Sequence, residues 1–159
     1  GFAQFIKIVD GETVLISNGF APTFGAAWDT NPYAQQWSLT EGEPPTNRKE
    51  VVMDVLTAEN HNFSVGDRVT VLAGATPASF TIVGIAEFAN VGAPGGATFA
   101  LFEFRTAQAL LDSKGEVDLI NVVIENNFDI NNVKNDITNL DSENLNVINA
   151  QEAAAEQAD

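Results

Sequence analysis

The stretch Glu41–Leu72, EGEPPTNRKEVVMDVLTAENHNFSVGDRVTVL, decides the fold of this chain. Pro44 and Pro45 have no N–H to offer a ladder, so a strand begins only after them, at Glu50–Met53. Asp54 or Thr57 then caps a short helix that holds Ala58 and Glu59. Asn62 stands where that helix must stop in a left-handed conformation, which asparagine tolerates, and Phe63 folds back as an apolar anchor. Gly66-Asp67 makes a turn, and Arg68-Val69-Thr70-Val71 alternates as a half-buried strand does. The unit reads strand, short helix, strand.

Upstream, Phe5–Val9 and Thr13–Ser17 are apolar, β-branched runs joined by Asp10-Gly11, a two-residue hairpin signal, and Asn18-Gly19 supplies a second turn. Residues 20–38, FAPTFGAAWDTNPYAQQWS, show little periodicity and read as an aromatic-rich connection. Trp28, Tyr33 and Trp37 are its candidate ligand or partner contacts; the plainer role for such rings is to pin the loop to the core. Downstream, Ala75–Pro77 reads as a turn and Ser79–Phe88 as a strand with Gly84 at a bulge. Residues 89–96 form a loop, and Ala97–Glu103 is a strand. Thr106 is expected to cap a helix that turns Ala107, Leu110 and Leu111 inward and ends near Lys114-Gly115. Val117–Glu125 reads as a strand. Asp129 caps a helix on which Ile130, Val133, Ile137 and Leu140 share a face. Leu145–Ile148 is a short strand, and Ala150–Ala158 is a helix-prone tail. Strand, helix and strand at this end make half of a ferredoxin-like lobe.

Leu39, Gly42, Pro45, Glu50–Asp54, Ala58 and Val65–Val71 form an ordered set that continues through Phe80–Ile85, Gly96–Phe102 and Thr106–Leu111. Over most of residues 20–125 this set resembles the extracytoplasmic core domain of MacB-type or FtsX-like ABC transporter permeases. It departs at Glu43, where that family often carries Arg. The resemblance implies an α+β fold of two lobes. A partial ferredoxin-like α/β lobe would use residues 1–19 and 101–150, and an inserted, mainly-β lobe residues 20–100. Residues 151–159 would be a stalk leading toward a membrane helix. The lobe's first strand and helix would lie upstream of this chain, and the hairpin in 1–19 is expected to pair with the strand at 117–125. The resemblance also implies a parent in the cell membrane, with four membrane helices. That parent would pair with a second permease copy and work with a separate ATP-binding subunit. This domain would then lie on the extracytoplasmic side, handle a substrate or partner, and need no cofactor.

Composition sets outer bounds. A chain of 159 residues, 45% hydrophobic and 18% charged, is long and apolar enough to bury an interior. Its apolar runs are too short to span a bilayer, and Gly1–Phe5 lacks the basic start of a signal peptide. With 22 acids against 7 bases, the net charge of -15 repels phosphate backbones, so no nucleic-acid partner is expected. The absence of cysteine excludes disulfides, thiolate catalysis and cysteine-based zinc sites.

The residues offer little catalytic chemistry. His61 is the only histidine; alone it builds neither a transition-metal site nor a hydrolase triad, and its place at a helix end suits the capping of carbonyls. The glycines of 89–96 precede a strand, not a helix N-terminus, so no phosphate cradle is expected. Asp129–Lys134 lacks the glycine that a calcium loop needs at its sixth position. Glu41, Glu43 and Glu50 read as a solvated loop. The expectation is a binding and coupling module, not an enzyme. The rival from another class is a secreted or soluble small-ligand domain whose pocket is built from residues 28–37.

Overall fold

The computed structural model describes residues 3–9, 12–17, 21–73, 76–89, 93–141, 145–149 and 151–152. Its strands are β1 (Gln4–Val9), β2 (Glu12–Ile16), β3 (Thr23–Ala27), β4 (Trp37–Gly42), β5 (Glu50–Asp54), β6 (Arg68–Ala73), β7 (Thr76–Phe88) and β8 (Thr98–Phe102). The helices are α1 (Val55–His61), α2 (Phe104–Leu110) and α3 (Ile130–Leu140). The chain divides into two compact units, residues 1–120 and 121–159.

All eight strands lie in one mixed sheet of the first unit, in the order β2-β1-β6-β7-β5-β8-β3, with β4 attached to β7. The 13-residue β7 is the spine. It pairs with β6 antiparallel over 76–81, with β5 in parallel over 81–86, and with β4 antiparallel over 84–88. The Ala3 amide donates to the Thr23 carbonyl at 3.1 Å, so β3, at one end of the sheet, returns to the start of β1. The sheet curls, as right-twisted strands do.

Alternation then sorts the side chains. One face buries Phe5, Val51, Met53, Val69, Val71, Phe80, Ile82, Ala100 and Phe102, with the Phe80 and Phe102 rings 4.9 Å apart. Val55 and Ala58 of α1 and Ala107 and Leu110 of α2 pack into the same cluster. The opposite face buries Val52, Ala86 and Leu101.

The segment from Glu50 to Ala73 folds as its residues require. Asp54 is the N-cap of α1, accepting from the Thr57 amide at 2.8 Å. Asn62 closes the helix with φ 52°, and the Phe63 amide donates to the Ala58 carbonyl while its ring is buried. Lys7 of β1 places its Nζ 3.3 Å from the His61 carbonyl and 3.2 Å from that of Asn62, and 4.3 Å from the Phe63 ring centre. The carbonyl cap is therefore Lys7, a cation at the helix C-terminus; the His61 ring reaches the Ser17 carbonyl instead, at 3.1 Å.

Several expectations are corrected. Residues 20–38 are not all connection: Thr23–Ala27 is a strand, parallel to β8 in the register Thr23↔Thr98. The cap of α2 is Glu103, whose carboxylate accepts from the Arg105 and Thr106 amides; Thr106 lies inside the helix and is buried. That earlier start brings α2 to its end at Leu110, and Asp112, with φ 53°, takes the chain out of the helix before Lys114. β7 begins at Thr76, so Pro77 is in the ladder opposite Leu72 and not in a turn. The irregularity near Gly84 is present, with Val83 skipped between Val51↔Ile82 and Val52↔Gly84.

The hairpin of β1 and β2 forms with Val9↔Glu12 in register; its Asp10-Gly11 turn and the Asn18-Gly19 turn lie outside the described residues. Its other neighbour is β6 and not residues 117–125, which carry no ladder among the described residues. A strand exists only where another strand takes its hydrogen bonds, and Val117–Glu125 finds none among the described residues. The same holds for Leu145–Ile148.

In the second unit, Asp129 caps α3 through the Asn131 and Asn132 amides. Asn149 accepts from the Gln151 and Glu152 amides, while Glu152 accepts from the Asn149 amide in return. Glu152 also pairs with Lys134 of α3 at 2.6 Å. Beyond Glu152 the tail lies outside the described residues.

Candidate functional site

The face over Val52, Ala86 and Leu101 is the most distinctive surface of the first unit. Period-two alternation sets Phe24 and Ala26 of β3, Trp37 and Leu39 of β4, and Phe99 of β8 on it. Trp37 sits between Phe88, 5.3 Å away and edge-on, and Phe99, 5.1 Å away; Phe24 continues the row 5.2 Å from Phe99. These spacings are those of favourable aromatic pairs. Trp28 packs on the same cluster. All five rings are half-buried.

The loop between Trp28 and Trp37 is tied to itself. Asp29 accepts from the Asn31 amide at 2.8 Å, and Asn31 from the Tyr33 amide at 3.1 Å. Gln35 clamps both ends, donating to the Asp29 carbonyl and accepting from the Trp37 amide at 2.9 Å. At its tip Tyr33 is 84% exposed. The structure thus brings Trp28 and Trp37 together as anchors and sets Tyr33 apart, on a loop ordered by its own hydrogen bonds. Phe24, Phe88 and Phe99 complete the face and are not among the candidates that the sequence offers; the alternation Phe24-x-Ala26-x-Trp28 is a signal for Phe24, whereas Phe88 and Phe99 come from β7 and β8 and join it only in the sheet.

The carboxylates serve the backbone. Asp54 is buried, and burial pushes its carboxyl above the ordinary 3.8 while amide bonds from Phe99 (2.7 Å) and Thr57 pull the other way. Glu50 holds the Pro-rich loop, accepting from the Thr46 amide at 2.8 Å and from Thr46 Oγ1 and the Asn47 amide. Those bonds, the Thr46 amide foremost, lower it below the usual 4.5. Glu103 is lowered by the Arg105 amide first. Every buried side-chain N or O among the described residues has a partner. Each of these carboxylates is occupied by amides, and none is poised to move a proton for a substrate. An open groove of about 350 Å3 runs past Gly42, Pro44, Thr46, Glu50, Gly66 and Ile82, so the acidic loop borders a groove, with Glu50 spoken for.

Among the described residues no group of three or more His, Asp or Glu side chains converges on a metal position. None of the described helices is long and apolar enough to cross a membrane. A family model described as the MacB-like periplasmic core domain matches residues 3–140, most of the chain. No curated protein and no solved structure matches it.

Proposed function

Because the chain belongs to the family of MacB-like periplasmic core domains, extracytoplasmic parts of ABC transporter permeases, we propose that it couples conformational change in its permease to the handling of a substrate or partner outside the membrane. The family match over residues 3–140 is the observation that carries this reading. Permeases of this type work with ATP-binding subunits, so ATP hydrolysis is assigned to that separate subunit. The engagement of Asp54, Glu50 and Glu103 by backbone amides supports a mechanical rather than a catalytic role. So does the continuous sheet, in which β7 alone ties three strands together and passes a displacement on without slack.

Two finer points belong to the same proposal. Trp28, Tyr33 and Trp37 contact the substrate or partner. Residues 117–148 belong to a ferredoxin-like lobe completed in the whole permease: Val117, Leu119, Ile120, Val122 and Val123 are 48–73% exposed, and a neighbouring strand would cover them. The segment from residue 151 onward would lead into the stalk.

The test is a flexible Gly-Ser insertion after Asn149 in the parent permease. Transport should be lost while ATP turnover persists. Unimpaired transport, or ATP hydrolysis by residues 1–159 alone, would overturn the reading.

A further inference from the structure

We draw no further inference here: the strongest candidate, the half-buried aromatic face of Trp28, Trp37, Phe88 and Phe99 on the sheet of the first unit, carries none, because nothing among the described residues shows what covers it.

Discussion

Gly42 and Gly84 meet where β4 crosses β7, and there the backbone leaves no room for a side chain. A Cβ on Gly42 would lie 2.1 Å from the Val83 carbonyl oxygen, at φ +75°, and one on Gly84 would lie 2.6 Å from the Glu43 oxygen. Both clashes are with backbone, which cannot step aside as a flexible side chain does. Gly42→Ala and Gly84→Ala should each cost more than about 3 kcal/mol or prevent folding. Gly66, at φ +97° with open space around it, is the control; Gly66→Ala should cost only the strain of that conformation, about 1 kcal/mol. Urea unfolding of the three variants separates crowding from strain. Titration gives a second test. Asp54 is raised by burial, so its stabilising share is fullest at low pH and fades as pH climbs from the unfolded value through the folded one. Glu50 and Glu103 are lowered by amide donors, so their share is present above 4.5 and lost as pH falls below it. Melts between about pH 3 and pH 7 should show the acid decline made shallower in Glu50→Gln and Glu103→Gln, and steeper in Asp54→Asn. Asp54→Asn should also lose about 1–3 kcal/mol at neutral pH, because an amide has one acceptor for two N–H groups. Parallel curves for all three would contradict these assignments.

At the scale of elements, α1 shows how a seven-residue helix survives. A helix that short is marginal alone, since nucleation is costly. Here Asp54 takes the Thr57 amide of the first turn, Asn62 turns left-handed at the end, and Lys7 comes from a distant strand to meet the last carbonyls and the Phe63 ring. Lys7→Met keeps the stem of the side chain and removes the charge. It should cost about 1 kcal/mol by chemical unfolding, the sum of a helix-end charge and an exposed cation–π contact. No measurable change would mean that Asn62 and Phe63 close the helix unaided. The stop itself was legible in Asn62-Phe63, because a C-cap depends on residues within a turn of one another. Lys7 was not, because nothing near it in sequence says which carbonyls it will reach. α2 teaches the same in reverse: Glu103 and Thr106 both suit a cap, and the entry of the chain from β8 decides in favour of Glu103.

For the whole molecule the governing quantity is charge. A net charge of -15 over 159 residues opposes compaction, and added salt screens that repulsion. The melting temperature should therefore rise when NaCl is raised from about 20 mM to about 300 mM, a range over which the screening length drops severalfold. A flat or falling curve would mean that local pairs outweigh the global field. Few such pairs are seen among the described residues: Lys134–Glu152 is the ion pair found there, and it is exposed.

Local chemistry is what the sequence by itself determined. The run from Glu50 to Ala73, the cap at Asp129, the αL turn at Asn62 and the β1–β2 hairpin all depend on residues a few positions apart, and all were legible; the cap of α1 was narrowed to Asp54 or Thr57, and the structure selects Asp54. So was the family, through the ordered set from Leu39 to Leu111. Tertiary structure decided which extended segments become strands. Thr23–Ala27, TFGAA, has little strand propensity, yet it is a strand because β8 lies beside it. Val117–Glu125 has the β-branched residues of a strand, yet carries no ladder among the described residues. Tertiary structure also gathered the aromatic face, since Trp28, Trp37, Phe88 and Phe99 come from separate segments that meet only when β3, β4, β7 and β8 share one sheet. A cap is satisfied by its neighbours in the chain, whereas a strand's hydrogen bonds and a face's rings are completed by partners that no local stretch of sequence names.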